Sequence, residues 1–102
     1  MTNLITQNRA SIETLCRTFH VRRLDVFGSV LRDDFDEDHS DVDFIVEFER
    51  HPGLNTFRAY LDLRLALAEL LGRPVDLVMD GAVRNRYLKA EIESTRVPVY
   101  AA

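Results

Sequence analysis

Cysteine is almost absent: Cys16 stands alone in 102 residues. No disulfide can form within the chain, which fits a reducing compartment. Tryptophan is missing altogether, and glycine and proline number only four and three. No low-complexity segment interrupts the sequence. No apolar run approaches the roughly 20 residues of a membrane span. The N-terminus lacks the basic segment and apolar stretch of a secretory signal. A cytoplasmic protein without a membrane partner is expected. Excess positive charge is missing too. Thirteen Lys and Arg against 17 Asp and Glu leave a net charge of −4, the wrong sign for a protein that grips nucleic acid by displacing counterions. Direct nucleic-acid binding is therefore not expected.

What is present is ordinary for a folded chain. Hydrophobic residues make up 46%, so disorder is not indicated. The length predicts a single domain over 1–102 that buries roughly 60–70% of its unfolded surface. That leaves little room for a second substrate-binding module. Ile5, Ile12, Leu15, Cys16 and Phe19 recur at helical spacing over residues 3–19. Cys16 lies on that apolar stripe and reads as a buried structural thiol, not a nucleophile. A strand is predicted over 21–27, ending at Gly28, and Ser29 caps a short helix through Arg32.

Residues 41–48 give the clearest strand, with Val42, Phe44, Val46 and Phe48 on one face and Asp41, Asp43, Ile45 and Glu47 on the other. Pro52-Gly53 breaks the chain. Asn55 or Thr56 starts a helix that ends near Leu71 with Gly72 as its stop. Its apolar residues include Phe57, Tyr60, Leu61, Leu67, Ala68 and Leu71. A strand over 75–79 carries Asp76. A last helix over 82–94 turns Val83, Tyr87, Leu88 and Ile92 inward, and 97–100 adds an edge where proline is tolerated. The order predicts an α/β (α+β) domain: a small mixed β-sheet flanked by helices.

Seven carboxylates crowd the segment from Asp33 to Asp43. Asp33, Asp34, Asp36, Glu37 and Asp38 fall in a loop and can turn to water. Asp41 and Asp43 are two apart on a strand, so they project from one face with Cα atoms about 6.5–7 Å apart. Such a pair repels unless a cation intervenes. Asp76 joins them if its strand is a neighbour. Three carboxylates with open positions suit Mg²⁺. Two such ions about 3.5–4 Å apart stabilise the attacking and leaving oxygens of phosphoryl or nucleotidyl transfer.

Gly28-Ser29, between a strand and a helix start, supplies an anion cradle: close backbone approach, free N–H donors and a hydroxyl. Arg32, one turn further on, is placed to reach a phosphate or a loop acid. An EF-hand does not fit. Begun at Asp34, its sixth and twelfth positions are His39 and Ile45; begun at Asp36, the sixth is Asp41. His20, His39 and His51 have no metal-ligand spacing, so zinc is not expected.

Gly28-Ser29, then Asp41-Val42-Asp43, then Asp76 resemble the signature of the nucleotidyltransferase superfamily related to DNA polymerase β. The short length and the run RPVDLVMDGAVRNRYLKAEIESTRVPVYA resemble the minimal nucleotidyltransferase (MNT) antitoxins that partner HEPN-domain toxins. The resemblance implies the polymerase β palm-like fold. It implies that Asp41 and Asp43 bind two Mg²⁺ ions, and that Asp76 completes the metal site and helps activate the attacking hydroxyl. Gly28 and Ser29 would hold the triphosphate of ATP.

The implied reaction moves AMP from ATP to a tyrosine of the HEPN toxin, blocks its RNase activity and releases pyrophosphate. Two alternatives remain at this stage: an antitoxin that neutralises by contact alone, and transfer to a small-molecule acceptor. Association as a homo-oligomer or as a hetero-oligomer with the toxin is left open. Two departures from the family pattern stand out. Eleven residues separate Ser29 from Asp41, slightly more than is commonest, and Asp33 follows Arg32 where relatives often have glycine.

Overall fold

The computed structural model describes residues 3–28 and 41–102. The expectations for Ser29, Arg32, the short helix between them and the acidic segment 33–40 lie outside the described residues. In chain order the described elements are α1 (Asn3–Thr18), β1 (Val21–Phe27), β2 (Val42–Phe48), α2 (Thr56–Leu71), β3 (Val75–Met79), α3 (Arg86–Thr95) and β4 (Val97–Ala101).

The four strands form one sheet in the order β3-β2-β1-β4. β1 pairs antiparallel with both β2 and β4, whereas β2 and β3 are parallel. A parallel pair cannot be closed by a tight turn, and α2 supplies the crossover. The expected mixed sheet is therefore present. Pro98 sits on β4, an outer strand of that sheet, where a missing N–H is tolerated.

Alternation divides the sheet into two unequal faces. Leu24 and Val26 of β1, Val42, Phe44 and Val46 of β2, and Val75 and Leu77 of β3 join Val99 in the main core. α1 closes it with Ile5, Ile12 and Cys16, and α2 with Leu63, Leu67 and Leu71. Each fully buried leucine here contributes roughly 1.5–3 kcal/mol relative to exposure. Cys16 is buried as predicted. Burial first, with Glu13 nearby, pushes its thiol up to about 12, so it stays protonated at neutral pH and is a poor nucleophile. On the other face a small cluster of Phe27, Ile45 and Ile92 packs with Val78, Val83 and Leu88.

The ends of α2 follow the sequence signals. Asn55 is the N-cap, its side-chain oxygen accepting the Arg58 N–H at 3.0 Å. Gly72 closes the helix at φ 69°, donating its N–H to the Ala68 carbonyl at 2.9 Å. The buried stripe is Ala59, Leu63, Leu67 and Leu71, so Phe57, read as part of the apolar face, instead lies 70% exposed.

α3 starts four residues later than expected. The side chain of Asn85 accepts the N–H groups of Tyr87 and Leu88 at 2.9 and 3.1 Å, and that cap sets the first turn. Tyr87 then points outward, 74% exposed, contrary to the inward placement drawn from its spacing. Ile92 is the buried anchor of α3. Among the described residues no helix is long and apolar enough to cross a membrane.

Candidate active site

The acids meet at one end of the sheet, where β1 finishes and β2 and β3 begin. Val42 donates its N–H to the Pro74 carbonyl at 3.2 Å, which fixes the parallel register at its start. Asp43 is thereby opposite Asp76 on one side and opposite Phe27 of β1 on the other. Partners in register share a face, so Asp43 and Asp76 project together on the face away from α1 and α2. Asp41, just before β2, is two residues from Asp43 and exposed; Asp43 is half-buried and Asp76 exposed. The structure thus gives Asp76 the neighbouring strand that the sequence reading required.

Among the described residues, no group of three or more His, Cys, Asp or Glu that could hold a metal ion is present. Like charges at ligand distance repel, so carboxylates displayed on one face are expected to stay apart until a cation screens them. Asp41, Asp43 and Asp76 offer oxygen donors, the type a hard divalent ion takes, but as arranged they do not form a three-ligand group.

Gly28 lies directly against Asp43. It is buried, with φ 68°, a conformation that penalises any Cβ. A Cβ built there would stand 2.9 Å from Asp43 Oδ2 and 3.2 Å from Glu91 Oε1. The absence of a side chain is what lets the Asp43 carboxylate sit over the backbone at the end of β1. The Gly28 N–H donates to Thr95 Oγ1 at 3.1 Å, so the C-terminal end of α3 abuts the same turn.

Further along the same face of the sheet runs a charge network that the sequence reading missed. Asp25, fully buried on β1, accepts from Arg96 Nε at 2.6 Å and from Arg23 Nε at 3.1 Å. Arg96 also approaches Glu93 at 3.5 Å and Asp80 at 3.8 Å. Burial opposes the charge on Arg96, but its hydrogen bond and attraction to Asp25, with Asp80 and Glu93 behind, hold its pKa above the ordinary value. The available signal was an aspartate in the apolar run Leu24-Asp25-Val26-Phe27, which demands a cation if that strand is central. On the other side of the sheet the Tyr60 hydroxyl donates to the Leu77 carbonyl at 2.7 Å, tying α2 to the strand that carries Asp76.

His20 and His51, scattered in sequence, stack with ring centroids 4.3 Å apart. They lie where β1 begins and β2 ends, at the opposite end of the sheet from the acids, and bring no ligand to them.

The family model described as "Nucleotidyltransferase domain" matches residues 9–99. Protein adenylyltransferase MntA of Thermococcus cleftensis is 44% identical over 71 residues, which cover 70% of this chain and 68% of that protein. The fold is shared with the solved structure of a tri-AMPylated Shewanella oneidensis HEPN toxin in complex with MNT antitoxin. There the TM-score is 0.65 at 21% identity, covering 96% of this chain and 73% of the other. A toxin-antitoxin structure with AMP-PNP gives a TM-score of 0.69 at 21% identity, covering 93% and 74%.

Proposed function

We propose that this chain, which belongs to the nucleotidyltransferase domain family, transfers AMP from ATP to a tyrosine of a partner HEPN toxin, with Mg²⁺ as its metal, and so silences that partner's RNase activity. The chain is a nucleotidyltransferase; the acceptor, the metal and the residue roles are the proposal. One structural observation carries it: the parallel register that sets Asp43 opposite Asp76, beside a glycine whose missing Cβ leaves room for the Asp43 carboxylate. The acceptor class draws support from the name of the Thermococcus cleftensis relative and from the AMPylated toxin held by the structural neighbour. ATP draws support from the neighbour with AMP-PNP.

Asp41, Asp43 and Asp76 would hold Mg²⁺. Bound there, the ion neutralises the triphosphate and lowers the cost of deprotonating the acceptor hydroxyl. The remaining work falls to the chain. The Gly28 backbone admits the triphosphate at close range, and Ser29 and Arg32, by sequence, add donors to it. Asp76 orients the acceptor and helps take up its proton. The tyrosine oxygen bonds to the α-phosphorus, the bond from that phosphorus to the β-phosphate bridging oxygen breaks, and pyrophosphate carries away the electron pair.

ATP labelled at the α-phosphate tests the assignment. The label should pass to the partner toxin, resist removal by denaturation and map to tyrosine, while label at the γ-phosphate should not pass. Chelation by EDTA should stop transfer, and Mg²⁺ should restore it. Transfer of the γ-label, or transfer insensitive to EDTA, would contradict the proposal.

Gly28→Ala should slow this transfer by about a hundred-fold, the scale of a reacting group displaced by an ångström. The left-handed backbone adds strain of roughly 1–2 kcal/mol. The strain should lower the melting temperature by roughly 4–16 °C, while the steric conflict with Asp43 Oδ2 at 2.9 Å should slow the folded variant's transfer at temperatures well below that transition. An alanine variant with wild-type kinetics would show that the Asp43 carboxylate does not need this space.

A further inference from the structure

The end of α3 meets β1 in a way that the family resemblance does not supply. The Thr95 hydroxyl gives its single proton to the Glu91 carbonyl at 2.7 Å. That orientation leaves a lone pair facing the Gly28 N–H, which donates to it at 3.1 Å. A hydroxyl can do both at once; a methyl group can do neither. Gly28 is buried, so its amide needs a partner, and a lost one leaves a desolvated donor. The next residue, Arg96, is pinned to Asp25 on β1 three residues before Gly28. Two adjacent residues thus fasten one helix end to the strand that leads into the Gly28 turn.

We propose that Thr95 is a positioning residue for nucleotide binding: its hydroxyl holds the Gly28 turn in its left-handed conformation, against Asp43, in the shape that receives the triphosphate. This rests on the functional reading above for the identity of the ligand, though the hydrogen bond itself does not. The restraint acts on ground-state binding, because the turn must have its shape before ATP arrives. Removing it exacts a conformational cost at binding and raises the KM for ATP with little change in kcat.

The test compares wild type, Thr95→Val and Thr95→Ser by two measurements. Hydrogen exchange at the Gly28 amide, read by NMR on the free protein, should accelerate about ten-fold in Thr95→Val. The dissociation constant for Mg·ATP, measured directly with no acceptor present, should rise about five- to ten-fold in the same variant. Thr95→Ser should restore both, which a purely steric role for the threonine methyl would not predict. Wild-type Gly28 exchange in Thr95→Val, faster exchange with unchanged ATP affinity, or a serine variant as impaired as valine would each overturn the inference. The two arms also separate the premises: a wild-type protein that fails to bind Mg·ATP refutes the functional reading, and Gly28 exchange still judges the Thr95 contact.

Discussion

Asp43→Asn is expected to lose AMP transfer by a thousand-fold or more while folding as well as the wild type. Removing one well-placed electrostatic group costs on the order of 10²–10³ in rate, and a residue that also ligates the metal stands at the upper end. Stability should move the other way. Asp43 is opposite Asp76 on the adjoining strand, and like charges directly opposite are destabilising by up to about 1 kcal/mol. Asparagine keeps the shape and removes the repulsion, so the melting temperature should hold or rise by a few degrees. The opposed signs are the informative part. A structural role for Asp43 would lower both quantities together, and retained activity would remove Asp43 from the mechanism. Melting curves and initial rates on the same preparation decide it.

Arg96→Met is expected to destabilise the fold by about 3–5 kcal/mol, the cost of leaving a buried carboxylate without its main partner. Asp25 has no exposed surface, and Arg96 contacts it at 2.6 Å while itself only 14% exposed. Arg23 also holds Asp25, at 2.9 Å, but is 44% exposed and cannot exclude water as Arg96 does. Its continued presence favours the lower end of the range. The loss should appear as a lower urea midpoint with little change in slope.

The double variant Asp25→Leu/Arg96→Met supplies the control. With both charges gone, the apolar pair should recover much of the loss. A single variant within about 0.5 kcal/mol of wild type would mean that Arg23 alone satisfies Asp25. By contrast, the exposed helix pair Arg58–Asp62, at 3.2 Å, is worth only about 0.3–0.5 kcal/mol.

Local signals in the sequence were read correctly where they were complete. α2 carries its cap at Asn55 and its stop at Gly72, although of the apolar residues named for it only Leu67 and Leu71 fall in the buried stripe, and alternation over residues 41–48 placed Asp43 on the opposite face from Val42, Phe44 and Val46. α3 was misplaced because Val83 and Tyr87 mimic helical spacing, while the deciding residue is Asn85, whose side chain accepts two N–H groups of the first turn. Tyr87 then faces water. The proximity of Asp76 to Asp43 was inferable only on the assumption of neighbouring strands, which the parallel register supplies.

The contacts between β1 and the end of α3 had no local signal. Asp25 and Arg96 are 71 residues apart, and Gly28 and Thr95 are 67 apart. Such pairs are created by topology: β4 returning along β1 carries the preceding helix end to the Gly28 turn. The resemblance in the sequence pointed to the acids and the glycine; it was silent on what holds them.

The most direct measurement of the central claim is the intact mass of a HEPN toxin partner after incubation with this protein, ATP and Mg²⁺. The account predicts one or more added AMP units, placed on tyrosine by fragmentation and absent when Asp43→Asn replaces the wild type. An unmodified toxin held in a stable, inactive complex would contradict it and point to neutralisation by contact.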